Sequence, residues 1–134
     1  MHAVLLLLTA LMAQPTKDAT ARERLIGLWR GTSLCADRVA APGCNDEQAV
    51  YEFTAGTRPG LVHWIADKMV NGKRDRMGES DLEYDNAEAC WKVEISSPRV
   101  KSVWRLVVTD SHLTGTARLL PCGETIRKLD LHKE

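Results

Sequence analysis

Apolar and polar positions alternate with a period of two from Leu28 almost to the end of the chain, as expected for β-strands with one buried face. The pattern is clear in residues 91–96, where Trp, Val and Ile alternate with Lys, Glu and Ser. Turn-forming residues interrupt it at short intervals, and Asn71-Gly72 is the strongest hairpin signal because both residues tolerate a positive φ. The pattern predicts eight strands, over residues 28–35, 48–54, 61–69, 73–84, 90–96, 100–108, 112–119 and 125–132.

The links between these strands are short, and no helix long enough for a crossover connection lies between them. Successive strands joined in this way are antiparallel neighbours. Eight such strands with one apolar face predict a closed up-and-down barrel, because closure also removes unpaired edge strands. A two-sheet sandwich of the same strands is the alternative. Gly78, in the middle of the fourth strand, predicts a bulge or a break there.

The residues before the strands divide into a leader and a short helix. Residues 1–13 carry no charge, and their leucine-rich run ends at the small residue Ala13, which is typical of a secretory signal peptide cleaved near that point. The run is shorter than the roughly 20 apolar residues that span a membrane. A buried N-terminal strand or helix is the alternative. Asp18 is the predicted N-cap of a helix over residues 19–26, which ends at Gly27.

The predicted organisation is one domain behind a leader. Its segments are a signal peptide (1–13), a neck with the short helix (14–27) and a single β-barrel domain (28–134).

Gly27-Leu28-Trp29, at the step from the helix into the first strand, resembles the Gly-x-Trp signature of the lipocalins and the wider calycin barrels. In that family the tryptophan closes one end of the barrel, and a basic side chain of the last strand packs across it. The resemblance implies that Arg127 is this basic partner, that the barrel is of the lipocalin type and that it binds a ligand. The chain departs from the family in its shorter length, in Ser111 after Thr109-Asp110 and in lacking a long helix after the eighth strand.

Four cysteines follow the predicted leader, and none of them forms a Cys-x-x-Cys pair. In an exported chain this usage indicates disulfides rather than a zinc site. Cys35 ends the first strand and Cys44 precedes the second, so both lie at the same end of the barrel and are the predicted bridge. Three strands separate Cys90 from Cys122, which places them at opposite ends of a meander, and neither is assigned a partner.

The charges after Ala13 balance, with 18 basic and 18 acidic residues and a net charge of zero. Such a chain has no basic stripe for nucleic acid and no polybasic patch for a membrane surface. The acidic face Glu79, Asp81, Glu83 and Asp85 is predicted to be solvated. The basic cluster Lys73, Arg74 and Arg76 either keeps its strand soluble or contacts an anionic partner.

No motif positions a serine with a histidine and a carboxylate, so no catalytic residue and no enzymatic activity are predicted. His63 and His112 lie on different strands with no ligand-spaced cysteine or carboxylate beside them. They are therefore interpreted as surface or structural histidines, and no metal and no cofactor are predicted.

All aromatic side chains fall on inward positions of the predicted barrel: Trp29, Tyr51, Phe53, Trp64, Tyr84, Trp91 and Trp104. A small barrel is either filled by its side chains or holds one small ligand, and both possibilities stay open here. The small inward residues Gly115 and Ala117 favour residual space. The candidate ligand-binding residues are Trp29, Tyr51, Phe53, Trp64, Trp91, Trp104 and Arg127.

The sequence thus predicts a secreted or periplasmic monomer that binds a partner. The first hypothesis is a carrier or sensor of a small apolar ligand in the tryptophan-lined interior. The second is a module that binds another exported protein, for example an inhibitor of a protease or a cell-wall hydrolase. Its contact surface would be the loops at one barrel end, such as the tethered Cys35–Cys44 loop with Asp37 and Arg38.

Overall fold

The computed structural model describes residues 16–121 and 123–134. Its elements are α1 (Lys17–Leu25), β1 (Gly27–Cys35), β2 (Glu47–Ala55), β3 (Leu61–Val70), β4 (Lys73–Asp85), β5 (Cys90–Ser96), β6 (Lys101–Thr109), β7 (His112–Leu119) and β8 (Thr125–Lys133). Each strand pairs antiparallel with the next, and β8 pairs with β1, so the barrel is closed in up-and-down order. The predicted fold class is confirmed, and the sandwich alternative is wrong. No helix within the described ranges is both long enough and apolar enough to span a membrane.

The barrel has two different ends. At the helix end, α1 leads into Gly27 at the start of β1. At the opposite end, called the disulfide end, Cys35 closes β1 and forms a disulfide with Cys44, with Cα atoms 5.9 Å apart. The predicted bridge is confirmed. Cys90 lies at the helix end, where it is buried and has no disulfide partner within the described ranges.

Two predictions fall on residues that the structure does not describe. The signal peptide over residues 1–13 lies outside the described ranges, and so does Cys122. Both stay predictions.

Helix α1 begins two residues earlier than predicted. Thr16, rather than Asp18, is the N-cap, and its side chain accepts a hydrogen bond from the Ala19 N–H at 3.4 Å. The helix ends at Leu25, one residue before the predicted end, with Ile26 as the C-cap and Gly27 following at a φ of 141° that favours glycine. The carbonyl of Leu25 accepts a hydrogen bond of 2.8 Å from the indole N–H of Trp29. This bond attaches the helix to the helix end of the barrel.

The barrel wall is irregular around β4. The β3–β4 register shifts between Ala66 and Asp67, so Met77 is the extra residue of a bulge beside Gly78. The ladder between β4 and β5 is short and stops at the pair Glu83–Lys92. From there to the disulfide end, β4 and β5 diverge and leave a gap in the wall.

The interior at the helix end is filled by side chains with almost no solvent exposure: Leu25, Trp29, Phe53, Val62, Leu82, Trp91, Leu106, Leu113 and Leu131. The expected residual space is not found at Gly115. A Cβ on Gly115 would lie 2.8 Å from the Arg105 carbonyl oxygen and 3.0 Å from Cδ1 of Leu129. The neighbouring strands therefore occupy the volume that the glycine leaves.

Candidate functional site

A cleft of about 320 Å³ opens into the barrel at the disulfide end. It lies where β4 and β5 diverge, so the gap in the ladder gives access to the interior. Its apolar walls come from Tyr51, Trp64, Ala66, Ile95 and Trp104, and the bulged strand contributes residues 77–80. Glu47 and Arg127 line its polar side.

The aromatic wall is held rigid by ring contacts. The ring centroid of Trp64 lies 5.1 Å from that of Tyr51 and 5.4 Å from that of Trp104. Both pairs are packed edge to face. The indole N–H of Trp104 donates to the Ser102 hydroxyl at 3.0 Å. By contrast, the buried N–H of Trp64 finds no acceptor in the described part of the chain. An unpaired buried donor of this kind costs about 1–3 kcal/mol. An acceptor in the cleft reaches it only when the Trp64 ring turns, because the nitrogen itself is not exposed.

Arg127 forms the polar side of the cleft together with residues 45–47. These residues follow the segment that the disulfide closes, residues 35–44, which is called the disulfide loop. Its Nη1 donates to the carbonyl and hydroxyl oxygens of Ser33 at 3.0 and 2.9 Å. Its Nη2 donates to the Asn45 carbonyl at 3.1 Å, and Nη1 lies 3.6 Å from Oε2 of Glu47. The guanidinium is therefore already paired with a carboxylate and with backbone oxygens, and it ties β8 to the loop.

The expected pairing of Arg127 with Trp29 is wrong. Arg127 pairs in register with Cys35 at the disulfide end, whereas Lys133 pairs with Trp29 at the helix end. Nζ of Lys133 lies 5.6 Å from the Trp29 ring centroid and donates to the Arg24 carbonyl at 3.1 Å. Both basic residues occupy inward positions of the last strand, and alternation alone does not distinguish them.

Tyr51 lies at the inner side of the cleft and is 1% exposed. Burial raises the pKa of its phenol to about 12, with the Ser33 hydroxyl acting in the opposite direction. The cleft therefore presents a neutral phenol at physiological pH.

The candidate ligand-binding residues divide between the two halves of the barrel. Tyr51, Trp64, Trp104 and Arg127 line the cleft. Trp29, Phe53 and Trp91 belong to the filled core at the helix end. Sequence reasoning did not single out Glu47, Ala66 or Ile95, although Ala66 shares the inward face of Trp64 two residues away.

Charged residues that looked isolated in the sequence meet across strands. His63 Nδ1 lies 2.8 Å from Oδ1 of Asp81, so this histidine does have a carboxylate partner. Two residues of the basic cluster, Arg74 and Arg76, pair with a buried carboxylate and do not act only as solvated charges. Nε of Arg74 and of Arg76 donate to Asp67, which is 3% exposed, at 2.9 and 2.5 Å.

Comparison of the chain with protein-family models, with curated proteins and with solved structures finds no significant match.

Proposed function

We propose that this protein binds a small, largely apolar ligand in the cleft at the disulfide end and acts as its carrier or sensor. One observation carries the proposal: the buried indole N–H of Trp64, a residue of the cleft wall, has no acceptor among the described residues. The cleft volume of about 320 Å³ lies at the lower end of the range for small-molecule pockets. A compact ligand with one hydrogen-bond acceptor matches both features.

The charges around the cleft define the ligand further. Glu47 and Arg127 lie 3.6 Å apart, so their charges largely offset each other. The Nη atoms of Arg127 already donate to Ser33 and Asn45. A ligand with a full charge would have to displace these contacts, which favours a neutral molecule such as a ketone, ester or alcohol. The same engagement of the charged groups supports binding without catalysis.

The two ends of the barrel support the proposal in different ways. Trp29, Lys133 and α1 close the helix end, and this arrangement agrees with the likeness of Gly27-Leu28-Trp29 to the lipocalin signature. The ligand would then enter from the opposite end. The predicted leader and the disulfide between Cys35 and Cys44 support a secreted or periplasmic location.

The test is calorimetric titration with pairs of ligands of equal size, each pair being an aromatic ketone and the matching hydrocarbon. We expect the wild type to prefer the ketone, because its oxygen accepts from the Trp64 N–H once the ring turns toward the cleft. Trp64→Phe should remove this preference, a change of about 2–10-fold for one hydrogen bond. Trp104→Phe is the matched control, since the Trp104 N–H is already bonded to Ser102. It should weaken both ligands alike. Absence of binding throughout the panel, or an undiminished preference in Trp64→Phe, would contradict the proposal.

A second candidate function is binding of another exported protein through the disulfide loop. Val39 is 95% exposed at the tip of this loop. Asp37 Oδ1 accepts hydrogen bonds from the N–H groups of Val39 and Ala40 at 3.0 and 2.8 Å, and Arg38 donates to the Cys44 carbonyl at 3.1 Å. A rigid loop that presents an apolar side chain pays little entropy on binding. Val39→Asp should abolish capture of such a partner and leave the ligand titrations unchanged.

A further inference from the structure

His112, Asp130 and His132 lie together on the outer face of β7 and β8, at the helix end and away from the cleft. Their candidate ligand atoms all lie within 4.8 Å of one another. Nε2 of His112 is 2.6 Å from Oδ1 of Asp130, and Nε2 of His132 is 3.8 Å from the same oxygen. Two imidazoles and one carboxylate therefore converge on one point of the surface.

We propose that these three residues bind one divalent transition-metal ion of the zinc or copper class. Imidazole nitrogen is a preferred ligand of Zn²⁺ and Cu²⁺, and one carboxylate completes a three-residue set found in protein zinc sites. Calcium and magnesium prefer shells made of oxygen ligands, which this set does not supply. The donor chemistry thus selects the metal class.

The backbone brings the three ligands together without help from loops. His112 and His132 are direct partners in the β7–β8 register, so their Cβ atoms lie roughly 4.5–5.5 Å apart. Asp130 precedes His132 by two positions and therefore shares its outward face. Because β8 also pairs with β1, both strands belong to a closed wall that holds this spacing.

Metal binding requires the side chains to rearrange. The two imidazole rings are stacked, with centroids 4.6 Å apart and planes 8° from parallel. Parallel rings cannot both direct a lone pair at one ion, so at least one ring must turn to reach metal–nitrogen distances of about 2.0–2.1 Å. The side chains are 41%, 62% and 71% exposed for His112, Asp130 and His132. They can therefore turn in solvent without repacking the core.

Three protein ligands leave at least one coordination position facing solvent. Water fills this position in the isolated protein, and a donor atom from another molecule can replace it. The site is therefore open, unlike a closed structural zinc site.

The test is competition for Zn²⁺ and Cu²⁺ between the untagged full chain and a chromophoric chelator at pH 7.5. The variants are His112→Gln, His132→Gln and Asp130→Asn. Replacing even a residue that only orients a metal ligand costs about 10–100-fold in affinity, so each variant should lose at least tenfold. His63→Gln is the matched control, because His63 is also paired with a carboxylate across strands but has no second imidazole in its contacts.

We expect one Zn²⁺ per chain in the wild type and in His63→Gln, and no competing effect of Ca²⁺ or Mg²⁺. Three results would overturn the proposal. They are no Zn²⁺ or Cu²⁺ binding by the wild type, wild-type affinity for Zn²⁺ in all three site variants, and displacement of Zn²⁺ by Ca²⁺ at equal concentration. Circular dichroism of each variant separates loss of the site from loss of the fold.

Discussion

At the scale of single residues, the least expected feature is a buried charge on the outside of the barrel. Asp67 points outward beside Val50, yet both side chains are almost fully buried. Arg74 and Arg76 cover the Asp67 carboxylate and satisfy both of its oxygens. A buried carboxylate is tolerated only when it is paired in this way.

Asp67→Asn should therefore destabilise the protein. The neutral amide loses the charge and cannot accept from both arginines, and we expect the free energy of unfolding to fall by about 1–3 kcal/mol. Urea denaturation measures the change. Asp75→Asn is the control, since Asp75 is exposed on β4 between Arg74 and Arg76, and it should shift stability by less than about 0.5 kcal/mol. Equal effects of the two substitutions would show that the Asp67 pairing is not stabilising.

Because Tyr51 is buried, we expect the free energy of unfolding to depend on pH in the alkaline range. Burial raises the pKa of its phenol in the folded state from 10.0 to about 12. Below pH 10 the phenol is protonated in both the folded and the unfolded state, so this group does not reduce the stability. Above pH 10 the unfolded chain loses the proton first, and the free energy of unfolding falls. This decline runs between pH 10 and about 12, at up to about 1.4 kcal/mol per pH unit.

Urea titrations at several pH values test this dependence. Tyr51→Phe should flatten the decline of stability above pH 10, because phenylalanine does not ionise. Tyr84→Phe removes the other tyrosine and serves as the control. The same slope in the wild type and in Tyr51→Phe would contradict the assignment.

At the scale of elements, the short helix depends on the barrel for its stability. Two turns are too few for an isolated helix. Its last residues are held by the Trp29 indole bond to Leu25 and by Lys133, which packs over Trp29 and donates to Arg24. The final strand thus stabilises the first element of the described chain.

Lys133→Ala should loosen α1. It removes a cation–π contact and a hydrogen bond at the helix C-terminus, and we expect a loss of about 1 kcal/mol. Hydrogen exchange of the Ile26 amide, which bonds to the Arg22 carbonyl, should accelerate as a local readout. Lys128→Ala, an outward lysine of the same strand, should change neither quantity. Unchanged Ile26 exchange in Lys133→Ala would show that the helix is held by other contacts.

The elements themselves could largely be predicted from the sequence. Alternation placed all eight strands within one or two residues of their observed bounds, and chain direction placed Cys35 beside Cys44. Alternation gives the face of a residue but not its height on the wall. For this reason Arg127 was assigned to the end at which Lys133 lies. It also does not give cross-strand neighbours, so the partners of His63 and His112 were missed.

At the scale of the whole molecule, one barrel has a filled half and an open half. The helix end is packed with large apolar side chains. The disulfide end is open because β4 bulges at Met77 and its ladder with β5 stops at Glu83. The sequence pointed to Gly78 as an irregular position but could not show on which wall the space would lie. The space depends on strand register, which follows from packing of the complete barrel.

This division of the barrel makes Gly78 the position from which the cleft can be closed. A Cβ on Gly78 would meet no atom of the described residues within 4 Å, and the Gly78 backbone does not have a positive φ. Gly78 pairs with Ala66 and so shares the inward face that lines the cleft. Gly78→Leu should therefore fill the cleft without straining the fold.

Gly78→Leu shows whether the cleft is the ligand site. Gly43→Leu is the matched control, since a Cβ there also meets no atom of the described residues within 4 Å and Gly43 does not line the cleft. Both variants and the wild type are titrated with the aromatic ketone that the wild type binds most tightly. We expect Gly78→Leu to weaken binding at least about tenfold, or 1.4 kcal/mol, at unchanged or increased stability, while Gly43→Leu binds as the wild type does. Wild-type affinity in a folded Gly78→Leu variant would show that the cleft is not the ligand site.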